Sequence, residues 1–81
     1  MKEIGKVTHY YGKVGVAIVK LSGGLKAGDK IKIADKAGEF EQTVNSMEVD
    51  RKKVDEALSG DEVGLKVDRK VGEGALVSQD D

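Results

Sequence analysis

Apolar side chains recur at every second position through most of this chain, and glycines separate the runs in which they do so. A period of two is the period of a β-strand, whose successive side chains point to opposite faces. The pattern is clearest in Lys30-Ile31-Lys32-Ile33, with charge on one face and isoleucine on the other. It recurs over residues 13–20, 39–44, 62–67 and 75–78, and Ile4 and Val7 begin a first run. Six short strands with turn signals between them predict an all-β domain, closed or sandwiched. The predicted inward residues are Val14, Val16, Ile18, Ile31, Ile33, Val44, Met47, Val63, Leu65 and Val67. Between Val44 and Met47 the alternation slips by one residue, which predicts a β-bulge near Ser46.

One segment departs from the period. In residues 51–58, Val54, Ala57 and Leu58 are spaced as i, i+3 and i+4, between Asp50 and Ser59-Gly60. This spacing predicts one short helical turn or a crossover loop, with Asp50 as its cap. The stretch Gly23-Gly24-Leu25-Lys26-Ala27-Gly28-Asp29 reads as two tight turns, with Asp29 able to accept hydrogen bonds from nearby amides. Asp35-Lys36-Ala37-Gly38 reads as a hairpin turn. At 81 residues the chain is expected to form a single domain over 1–81, with residues 79–81 as a frayed tail. A domain of this size buries only about 60% of its unfolded surface, so modest stability is expected.

Composition removes several functions. There is no cysteine, hence no thiol nucleophile, disulfide or cysteine zinc site. The single histidine, His9, cannot build an ordinary zinc site, and no Gly-x-Ser-x-Gly nucleophile elbow is present. No Gly-x-x-x-x-Gly-Lys-Ser/Thr phosphate loop occurs, so the chain alone is not expected to bind nucleotide. The expectation is therefore a non-enzymatic module without cofactor, metal or catalytic residue. Lysine and arginine number 14 against 15 aspartates and glutamates, so any nucleic-acid contact would need a local patch. No apolar stretch reaches membrane-spanning length and no apolar signal core follows Met1, which points to the cytoplasm.

Two clusters could serve binding. His9-Tyr10-Tyr11, followed by Gly12 and Lys13, puts aromatic rings at a strand end, where tyrosines serve as stacking platforms or interface anchors. Arg51-Lys52-Lys53 is the only run of three cations. The alternative for both is plain: rings that cap the fold, and a solvated loop offset by Asp50, Asp55 and Glu56.

The motif Gly-x-Leu-Lys-x-Gly-Asp-x-Ile at residues 23–31 resembles the second, β-barrel domain of translational GTPases such as elongation factor Tu. Ile4-Gly5-Lys6-Val7, Gly12-Lys13-Val14-Gly15-Val16, Met47-Glu48-Val49-Asp50-Arg51-Lys52, Gly60-Asp61-Glu62-Val63-Gly64-Leu65 and Gly74-Ala75-Leu76-Val77 are similar to further parts of that barrel, in order. The resemblance covers residues 3–78. It implies a six-stranded antiparallel barrel of the translation-factor domain 2 type, as a stand-alone elongation factor-like binding module. Similar barrels also end collagenase-like peptidases, so the alternative is an accessory or substrate-docking partner related to such a C-terminal barrel. The implied partners are a protein, an RNA such as a tRNA end, or a ribosome-associated factor, with the chain a monomer or weak dimer. The implied pocket positions are Gly12, Lys13 and Glu48, although Lys13 stands where that family carries arginine. The candidate binding set is thus Tyr10, Tyr11, Gly12, Lys13, Glu48, Arg51 and Lys52.

Overall fold

Each alternating run becomes a strand, and the residues that join the runs decide how the strands are ordered. The computed structural model describes residues 2–79. It is all-β: β1 (Lys2–Tyr11), β2 (Val16–Leu21), β3 (Leu25–Lys26), β4 (Lys30–Asp35), β5 (Gly38–Thr43), β6 (Met47–Val49), β7 (Lys52–Val54), β8 (Glu56–Ala57), β9 (Glu62–Lys66) and β10 (Leu76–Gln79). Eight of these form one antiparallel sheet in the order β5-β4-β10-β1-β2-β9-β6-β7, and β3 pairs with β8 in a separate ribbon. The sheet has two free ends, β5 and β7, so its backbone ladder does not close. A six-stranded closed barrel therefore does not describe it.

The expected helical turn over 51–58 is absent. Val54 pairs with Met47, and Ala57 pairs with Leu25 in the ribbon. The i, i+3 spacing arises because the chain passes from β7 to β8 at Asp55, which resets the strand phase. The bulge expected near Ser46 is not there either. Residues 44–46 lie outside any strand, so the phase change between buried Val44 and buried Met47 falls in a connection. The irregularities lie in β1 instead, between Glu3 and Gly5 against β10 and between Val7 and His9 against β2. They allow Ile4 and Val7, three positions apart, to enter the same core.

Ile31, Ile33, Val44, Met47, Val63, Leu65 and Val67 are buried as expected. Strand β2 faces the other way. Ala17, Val19 and Leu21 fill the core, while Val16 and Ile18 are half-buried and Val14 is 55% exposed. Residues 14–19 are apolar on both faces, so alternation alone gives two equally good phases; pairing with β1 and β9 selects one. Gln42 is the only polar side chain in the buried set among the described residues, and it spans a gap between strands. Its Nε2 donates to the Lys66 carbonyl at 2.8 Å, and its Oε1 accepts from the Asp68 amide at 2.8 Å. A side-chain amide thus ties the free end β5 to the chain leaving β9, where no strand pairing runs.

The glycine-rich corner folds as its residues dictate. Gly28 takes φ of 94°, and the Asp29 carboxylate accepts from the Lys26 amide at 2.9 Å and from Gln79 Nε2 at 2.8 Å. Asp29 thereby fixes both the corner and the end of β10.

Candidate functional site

Because β2 turns Ala17, Val19 and Leu21 inward, it must present Val16 and Ile18 on the outer face of the sheet. Gly64 of β9 lies opposite Ile18 in the ladder, and a side-chain carbon there would sit 3.5 Å from Val16 Cγ1 and 3.8 Å from Ile18 Cδ1. The missing side chain at Gly64 leaves a groove of about 660 Å³. Its floor is Val14, Val16, Ile18 and Gly64, with Tyr11 at one end and Glu48, Asp50, Arg51 and Glu62 around the rim.

The turn that carries Tyr11 to Val16 is held firmly. Gly15, with φ of 67°, donates its amide to the Tyr11 carbonyl at 2.9 Å, and Lys66 Nζ donates to the Val14 carbonyl at 2.6 Å. The Val67 amide reaches the Gly15 carbonyl at 2.9 Å. The exposed tyrosine and valine are thus presented on a braced loop. The Tyr11 ring also meets His9 edge-on at 4.4 Å, and His9 Nδ1 lies 3.2 Å from Glu73.

The opposite rim is strained. Asp50 and Arg51 join β6 to β7 as a two-residue hairpin turn with φ of 52° and 67°. Such a turn needs positive φ at both central residues and strongly favours Asn-Gly. Arginine in this conformation costs about 1–2 kcal/mol. Replacing Arg51 by glycine relieves that strain and gives back about 0.5–1 kcal/mol in unfolded-chain entropy. The variant is therefore expected to gain roughly 0.5–1 kcal/mol in urea unfolding while losing the rim cation. A loss of stability would show that the turn carries no strain.

Of the residues singled out in the sequence, Tyr11, Glu48 and Arg51 meet in this groove. Tyr10 is half-buried and packs on the core. Gly12 and Lys13 are exposed in the turn, and Lys52 is exposed on β7, outside the groove lining. The floor was missed because Val14, Val16 and Ile18 are expected in the core when β2 is read in the wrong phase. The signal was present: a run apolar on both faces has a surplus that one core cannot take. Among the described residues no group of three or more histidines, cysteines or carboxylates is arranged to hold a metal.

The fold has solved counterparts. The chain superimposes on the C-terminal domain of a Geobacillus thermoleovorans protein assigned to the U32 peptidases, with a TM-score of 0.93 and 20% identity over 98% of this chain and 100% of that domain. A second crystal structure of that domain gives 0.91 and 19%, over 99% and 93% of the two chains. Among curated sequences, an uncharacterized protease of Methanocaldococcus jannaschii is 44% identical over 76 residues, covering 93% of this chain and 19% of that protein. The chain thus spans about a fifth of that relative's length. No protein-family model matches the chain.

These relatives correct the resemblance to elongation factors, because nothing in the comparisons points to one. They fit instead the alternative reading, an accessory domain related to the C-terminal barrel of collagenase-like peptidases. The most distinctive motif behind the first resemblance centres on corner residues such as Gly28 and Asp29. Such residues specify a turn in whatever protein carries them.

Proposed function

We propose that this chain is a non-catalytic accessory domain of the kind that ends U32 peptidases, and that its outer groove docks a polypeptide segment with apolar and basic side chains. The outward apolar floor of Val14, Val16 and Ile18 carries this reading. Desolvating it against a partner is favourable at roughly 25 cal/mol per Å². The rim sets the sign of the partner. Glu48, Asp50 and Glu62 oppose Arg51 alone, so the groove is formally −2, and among the described residues none of the four is in an ion pair. A phosphate backbone would be repelled there, which disfavours RNA. The docked segment belongs to a peptidase domain or to its substrate.

A titration of the isotope-labelled chain with an alternating Lys-Leu peptide, followed by amide shifts, tests the reading. Shifts are expected at Glu48, Arg51 and Gly64. Ile18→Asn puts a neutral amide on the apolar floor without touching the core and is expected to weaken binding about tenfold or more, with the circular dichroism unchanged. Unaltered affinity in that variant, or shifts confined to other residues, would sink the groove assignment. Hydrolysis of casein by the purified chain would overturn the non-catalytic reading.

A further inference from the structure

A second groove, of about 700 Å³, lies between the β4–β5 turn and the loop leading into β10. Lys6 of β1, Lys36 of the turn and Lys70 of the loop all line it, and all three are exposed. Its two carboxylates are already engaged. Asp35 accepts from the Gly72 amide at 3.0 Å and from the Ala37 amide at 2.9 Å, and Glu73 meets His9. No such partner faces the three ammonium groups among the described residues. Buried Val71 and Ala75 anchor the loop beneath them.

We propose that this groove binds an acidic polypeptide segment, whose carboxylates pair with Lys6, Lys36 and Lys70. Charge complementarity selects the occupant. Three unpaired cations converge on one concavity in a chain whose formal net charge is −1. The Gly72 and Ala37 amides, with a smaller contribution from Gly38, hold the Asp35 carboxyl below its ordinary pKa against an opposing effect of burial. Asp35 therefore stays charged and keeps those amides for itself, which leaves the three lysines to meet an incoming anion. Lysine is a compact point charge without the fork that grips phosphate from two sides. Asp35 and Glu73 at the same groove would repel a backbone charged at every residue, whereas a peptide can space its acids between them. The site is separate from the outer groove, and the two carry opposite charge.

An alternating Glu-Leu peptide provides the test, again by amide shifts on the intact chain. Shifts are expected at Ala37, Gly72 and Gly74, with binding that weakens as salt is raised. The combined Lys6→Gln, Lys36→Gln and Lys70→Gln variant is expected to lose about tenfold or more in affinity. Its melting temperature should hold, because these side chains are exposed. Ile18→Asn should leave this binding intact, which separates the outcome from that of the outer groove. Three results would each overturn the proposal: no binding of the acidic peptide, equal binding by the triple variant, or tighter binding of a single-stranded RNA at the same amides.

Discussion

Replacing Gln42 by leucine is expected to destabilise the domain by about 2–5 kcal/mol. The side chain is 6% exposed and makes two hydrogen bonds of 2.8 Å, to the Lys66 carbonyl and the Asp68 amide. Removing the amide leaves two partly buried partners unpaired, at about 1–3 kcal/mol each, less what the added apolar burial returns. Leucine fills the space but satisfies neither group. Small domains have a total stability near the lower end of about 5–15 kcal/mol, so a large share is at stake. A fall in melting temperature of more than about 10 °C is expected by circular dichroism. A change under about 1 kcal/mol would mean that the seam is held elsewhere. Gln42→Glu separates the two bonds. Its carboxylate still accepts from the Asp68 amide but turns an oxygen toward the Lys66 carbonyl, which raises its folded pKa. Stability in that variant is therefore best below about pH 4 and falls as pH rises through the raised value.

Gln42 also shows what sequence could and could not convey. It shares its strand face with Phe40 and Val44, but the predicted inward set took only Val44 from this run. Only the sheet order explains it, because β5 lies at the free end of the ladder and needs a substitute for a strand partner. The strand content and part of the core were legible, since Ile31, Ile33, Val63 and Leu65 alternate with charged or glycine neighbours that fix the phase. The phase of β2 was not, because both of its faces are apolar. The same ambiguity hid the outer groove, whose floor was assigned to the interior. Residues 51–58 misled for a related reason: a break between two very short strands reproduces helical spacing.

The free ends of the sheet bear on how such a domain works beside a larger protein. Edge β5 carries Glu39 and Glu41, and edge β7 carries Lys52 and Lys53. Charged side chains on edge strands discourage pairing with other chains. Under the proposed docking function, contact is therefore expected through the side-chain grooves rather than by strand addition.

Gly5→Ala is expected to cost about 1–3 kcal/mol, although glycine-to-alanine exchange in an open strand stabilises by about 0.4–1 kcal/mol through the unfolded chain. The backbone at Gly5 does not require positive φ, so only space decides. A methyl there would sit 2.7 Å from Val19 Cγ1, 3.1 Å from the Lys20 carbonyl oxygen and 3.3 Å from Leu21 Cδ2. Val19 and Leu21 are fully packed, and the Lys20 oxygen is main chain and cannot swing aside. Valine at position 5 adds two more methyls to the same contact and is expected to cost more than alanine. Gly12 provides the contrast: it is exposed, and its nearest contact would be Tyr10 Cε2 at 3.5 Å, so Gly12→Ala should be neutral or slightly stabilising. Urea unfolding of the single variants and of Gly5→Ala combined with Val19→Ala decides the cause. Trimming Val19 removes the closest clash, so the double variant should lose at least about 0.5 kcal/mol less than the sum of its parts. Strict additivity would show that the close approach of β1 to β2 is not what keeps glycine at this position.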